Sequence, residues 1–233
     1  MLGLLVIIVV SWLLLHFLEK KSIDALGIIP NKKRSVQFLI GFIIMAFINL
    51  LTIYFESIAL NIEWELKKSI DYKNIFKSFV YHLKSALTED LVFRGAILYI
   101  LIQRIGAKKG ILISAIAFGV YHIFSYGLIG GNIILILYIT LITGITGYVW
   151  AYTFHKTKSI MMGLGFHLGY NLLMTFFYES APYGELVFKE ISKTNLTDWD
   201  WVYYNLAKGL FPSAITLIVV NQFTKHQLKK NKL

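Results

Sequence analysis

Apolar positions fall in long blocks separated by short polar segments, many of them basic. Blocks of about twenty residues match the thickness of a bilayer's hydrocarbon core. They predict helices over 2–18, 36–60, 79–105, 111–128, 133–154, 159–178 and 206–223. The first has neither the basic flank nor the small-residue cleavage site of a signal peptide, so it is read as an uncleaved span. Residues 61–77 (NIEWELKKSIDYKNIFK) alternate charged and apolar side chains and predict an amphipathic stretch lying at the interface. The longest loop expected, 179–205, is acidic and aromatic and ends near Trp199 and Trp201. The architecture predicted is all-α: a polytopic transmembrane helix bundle of about seven spans, or eight with a short interfacial helix. It forms a single integral membrane domain over 1–233.

The block at 79–105 interrupts its own pattern. Glu89, Asp90 and Arg94 sit near its middle, where a charge costs at least a few kcal/mol and faces a polar cavity or a partner. Asp90 and Arg94 are four apart with the acid first, the favourable order for an ion pair on a helix. Glu89 lies about 100° round the helix from Asp90 and cannot share Arg94 equally. One carboxylate is therefore neutralised and the other left desolvated, as suits a general acid or base.

Two further polar stations follow. Phe118 and His122 share a face of the fourth block, and His167 and Asn171 share a face of the sixth. Counting about 1.5 Å per residue, Glu89, His122 and His167 lie at similar depth, roughly 13–21 Å from the inner ends. Gly119 adjoins His122, and Gly165 and Gly169 flank His167, so backbones can pack closely there. His82 shares a face with Glu89 but sits nearer the outer interface. His16, His155 and His226 are read as interfacial or loop residues. Asn195-Leu196-Thr197 matches a glycosylation triplet, a common and unspecific pattern.

Composition narrows the class. Hydrophobic residues make up 57% of the 233 and mean hydropathy is +0.64, too apolar for a soluble domain to bury. The net charge of +10 comes from Lys and Arg gathered in loops. Loops on one side hold 14 of the 23 basic residues, which points to orientation across a membrane and not to nucleic acid. This bias predicts an outer amino terminus and a cytoplasmic carboxyl terminus. Cysteine is absent, which excludes disulfides, thiol nucleophiles and thiolate metal sites. H-E-x-x-H and G-x-S-x-G are also absent, which argues against zincin geometry and a serine nucleophile elbow.

Taken together, Glu89-Asp90-x-x-x-Arg94, Phe118-x-x-x-His122 and His167-x-x-x-Asn171 resemble the motifs of the CPBP intramembrane endopeptidases. These are the CAAX-protease and bacteriocin-processing (Abi) proteins, and the resemblance covers a core of about 79–178. The family pattern has Glu where this chain has Asp90, whose spacing to Arg94 is kept. The resemblance implies hydrolysis of a peptide bond in a membrane-associated peptide or protein, of the bacteriocin or signal-peptide maturation type. In it Glu89, with His122, activates water. His167 and Asn171 stabilise the oxyanion, and Asp90, Arg94 and Phe118 support them. No cofactor is favoured; if zinc takes part, Glu89, His122 and His167 are its ligands. The partners implied are the substrate and the lipid bilayer; the Ile-, Lys- and Asn-rich composition and polybasic tail point separately to a bacterial plasma membrane. A non-catalytic bacteriocin-immunity scaffold and a proton-coupled transporter are the alternatives.

Overall fold

The computed structural model describes residues 2–230, with side chains to residue 225. His226 and the end of the basic tail thus lie outside the described side chains. The chain runs α1 (Leu2–Leu14), a π-helical turn (Leu15–Glu19), a 3-10 turn (Ile23–Leu26), α2 (Lys32–Leu60) and β1 (Glu63–Leu66). It continues through α3 (Tyr72–Arg94), α4 (Ala96–Ile105), α5 (Ala107–Ser125), α6 (Ile133–Thr157), α7 (Met161–Phe177), β2 (Phe188–Ser192) and α8 (Asp198–Lys230). Side chains at the helix starts explain several boundaries. Asn31 accepts from Arg34 N at 3.0 Å, Asp71 from Asn74 N at 3.1 Å, and Asn132 from Ile134 N at 2.8 Å. Left-handed residues, Asn61 after α2 and Lys158 after α6, close the other ends.

Five described helices are long and apolar enough to cross a membrane: α1 with its π turn, α2, α5, α6 and α8. The other two predicted spans differ for a physical reason. α7 is only 17 residues long, and α3 carries His82, Glu89, Asp90 and Arg94. The polar groups of α3 lower its hydropathy, and His82, Asp90 and Arg94 are buried among neighbouring helices.

Four expectations are corrected. The helix predicted at 79–105 starts earlier, at Tyr72, and breaks at Gly95 into α3 and α4. A Cβ at Gly95 would lie 2.0 Å from the Leu91 carbonyl oxygen, so only glycine allows this sharp change of direction. The stretch expected at the interface is divided between β1 and the first turns of α3. β1 pairs antiparallel with β2, so the fold is not purely helical and the long loop before α8 is tied back to the end of α2. Finally, α8 begins at Asp198, which puts Trp199 and Trp201 inside its first turns.

α7 is the axis of the bundle. Its glycines let α2 approach to backbone contact: a Cβ on Gly165 would meet Phe38 O at 2.2 Å, and one on Gly169 would meet Phe42 O at 2.8 Å. Gly41 reciprocates, its Cβ position 2.3 Å from Met162 O. Buried Met45, Ile48, Phe118, Trp150, Met162 and Phe166 form the apolar cluster around this contact. A second cluster, with Leu15, Leu26, Leu91, Leu98 and Phe154, packs α1, α3, α4 and α6 together.

Candidate active site

α3 and α7 place two acids against one imidazole. His167 Nε2 is 3.7 Å from Glu89 Oε2, and its Nδ1 is 3.5 Å from Asp90 Oδ1. These separations are longer than hydrogen bonds. Asp90 Oδ1 also faces Arg94 Nη1 at 3.4 Å, one helical turn on, with both side chains 2% exposed. The pair is held by charge: neither side chain makes a direct hydrogen bond among the described residues. Glu89 is less enclosed, its side chain 19% exposed, and it accepts from Ser85 Oγ at 3.4 Å.

Arg94 carries the arrangement to α5. Its Cζ lies 3.8 Å from the centroid of the Phe118 ring and 5.0 Å from that of Trp150, so two aromatic faces receive the cation. The Phe118 carbonyl accepts from His122 Nδ1 at 2.7 Å. A carbonyl only accepts, so Nδ1 carries the hydrogen and Nε2 of the neutral ring is left as an acceptor. The break at Gly95 leaves carbonyls at the end of α3 without helical partners, and Ser114 Oγ donates to that of Phe93 at 2.6 Å.

A cavity of about 320 Å³ opens beside these groups. His122, His167 and Asn171 all line it, as do Phe118 and Trp150. Glu89 is not among the lining residues and reaches the group by its contact with His167. Among the described residues no three His, Asp or Glu side chains form a metal-binding cluster. Glu89, His122 and His167 thus do not fit as a zinc set in this arrangement. His82, the weaker candidate, is buried and bonds through Nε2 to the Pro182 carbonyl at 3.1 Å, holding the long loop over α3.

Two neighbours escaped the sequence reading. Trp150, 4.5 Å from the His167 ring, lies in an apolar block and has no polar signal to betray it. At the far end of the cavity Lys208 Nζ meets Glu56 Oε1 at 2.5 Å, and Tyr178 donates its hydroxyl to the same carboxylate. Glu56, an acid within a long apolar block, was the available signal for this second pair.

The family model for type II CAAX prenyl endopeptidase Rce1-like proteins matches residues 72–173, from the start of α3 into α7. The chain is similar to that family over this stretch, which holds Glu89, Asp90, Arg94, Phe118, His122, His167 and Asn171. With five helices able to span a bilayer, the chain is an integral membrane protein. No curated protein and no solved structure matches it.

Proposed function

We propose that the protein is an intramembrane endopeptidase that cleaves a membrane-associated peptide or protein, of the bacteriocin or signal-peptide maturation type. The observation that carries this reading is His167 standing between Glu89 and Asp90 while lining a cavity shared with His122 and Asn171. Glu89 takes a proton from a water held near His122 Nε2, and the hydroxide attacks the scissile carbonyl carbon. The Asn171 amide and an N–H of His167 donate to the developing oxyanion, a contribution of about 3–4 kcal/mol per donor in comparable sites. Collapse of the tetrahedral intermediate breaks the C–N bond, and the leaving amine takes the proton held by Glu89. Asp90 orients His167 through Nδ1, and Arg94 holds Asp90.

The chain is read as sitting in a bacterial plasma membrane with the amino terminus outside and the basic carboxyl-terminal tail in the cytoplasm. The test compares cells carrying the unaltered chain, Glu89→Ala and His122→Ala, with new peptide termini in their membranes mapped by mass spectrometry. Termini made only by the unaltered chain support hydrolysis. Identical termini in all three, with protection from a membrane-active peptide kept, would move the assignment to an immunity scaffold. Proton-coupled flux in liposomes without cleavage would move it to a transporter.

A further inference from the structure

A second cavity, of about 460 Å³, lies away from the catalytic group, between the segment around 21–25, α4 and α6. Its charged wall brings together Lys21, from the link between the π and 3-10 turns, and Lys158, the left-handed residue that ends α6. Both ammonium groups belong to exposed residues. His155 and Gln103 add polar groups, and Tyr99 and Phe154 supply an apolar wall. One acid, Asp24, is present and accepts from Ser22 Oγ at 3.2 Å. Arg34 stands behind the same turn, donating to the Thr157 carbonyl at 3.3 Å and to Gln37 at 3.0 Å. The local balance therefore stays positive after Asp24 is counted.

The walls are built and do not depend on a ligand to form. Ser159 Oγ donates to Gly27 O at 2.9 Å and Ile160 N to Leu26 O at 3.0 Å, which joins the 3-10 turn to the α6–α7 corner. Arg104 ties the other wall by donating to Glu19 at 2.9 Å and to Leu18 O at 2.8 Å. Buried Leu26, Phe154 and Ile160 lie beneath. The chain leads directly from this polar pocket into apolar surface: Phe17 and Leu18 precede Lys21, Ile105 follows Gln103, and all three are exposed.

From this geometry we infer that the cavity binds a phosphate group, as an anionic phospholipid headgroup or as soluble phosphate. Two converging lysines and an imidazole suit an oxyanion with several acceptor oxygens, and basic pockets between helix ends favour anionic lipids. The adjoining apolar surface would take the acyl chains if the source is lipid. The inference stands independently of the hydrolytic reading, since its test does not involve cleavage.

The full chain is purified in micelles of an uncharged, phosphate-free maltoside detergent and its thermal unfolding followed. One arm adds phosphatidylglycerol, and another adds inorganic phosphate at matched ionic strength with chloride. A saturable rise in melting temperature is expected in at least one arm. Stabilisation by phosphatidylglycerol alone assigns the site to a lipid headgroup, and stabilisation by phosphate as well assigns it to the soluble anion. Lys21→Gln with Lys158→Gln should weaken the apparent affinity about thirtyfold, since each lysine near an anionic surface contributes roughly fivefold. Lys32→Gln with Lys33→Gln, which removes the same charge outside the cavity, should leave it unchanged. The unliganded melting temperature of each variant, read in the same scan, separates misfolding from lost binding. Equal weakening by both pairs, or no stabilisation in either arm, overturns the inference.

Discussion

Asp90 and His167 meet across the α3–α7 boundary, carboxylate Oδ1 to imidazole Nδ1 at 3.5 Å, and the same carboxylate oxygen faces Arg94. One acid thus stands as counter-charge to a buried cation and beside a buried imidazole. Glu89, its neighbour in sequence, is left with the other nitrogen of the ring and partial access to solvent.

Replacing Asp90 with Asn strands the Arg94 guanidinium without its carboxylate. Breaking a buried pair in this way costs about 3–5 kcal/mol. Asp90→Asn should therefore lower the unfolding free energy in detergent by that order. Asp90→Glu, which restores the acid usual in the family motif, should retain most of the stability. Equal stability of the Asn and parent chains would show that the pair contributes little.

Glu89→Gln removes the proposed base while keeping size and the Ser85 contact. Loss of product formation by about a hundredfold or more is expected, the usual scale for general-base removal. Its melting temperature should stay near that of the parent, because Glu89 is the less buried acid and does not neutralise Arg94. Unchanged turnover would eliminate Glu89 from the chemistry.

Gly165→Val should separate α2 from α7, since even a Cβ at that position stands 2.2 Å from Phe38 O. Overpacking typically costs about 1–3 kcal/mol, and backbone cannot yield as a side-chain tip does. Gly3→Val is the matched control, with nothing within 4 Å of its Cβ position. Thermal unfolding of the two variants side by side gives the comparison.

Cleavage should persist after exhaustive chelation, because the proposed route passes from Glu89 to water without a metal. Activity lost on chelation and recovered with zinc alone would assign Glu89, His122 and His167 a different role.

Much of the helical order was legible because long apolar blocks admit few other structures. The blocks containing α1, α2, α5, α6 and α8 stand out by length and hydropathy. The polar residues were legible for the opposite reason: Glu89, Arg94, His122 and His167 interrupt apolar surroundings at a cost that calls for partners. The break at Gly95 was hidden, since glycine is common in membrane helices and its close approach to Leu91 O appears only in three dimensions. The β1–β2 pairing was hidden by distance: Trp64 and Glu190 are far apart in the chain, and an alternating charged stretch reads equally well as an interfacial helix. Which atoms His167 offers to which acid also had no one-dimensional signature, because it depends on how α7 is rotated against α3.

Pro212 lies within α8 and lines the cavity beside His122 and His167 together with Lys208, four residues before it. A pyrrolidine nitrogen has no hydrogen to give, so the Lys208 carbonyl loses the intrahelical donor it would otherwise have. The cavity's wall thereby keeps a spare main-chain acceptor. An unbroken helix would have consumed that lone pair internally.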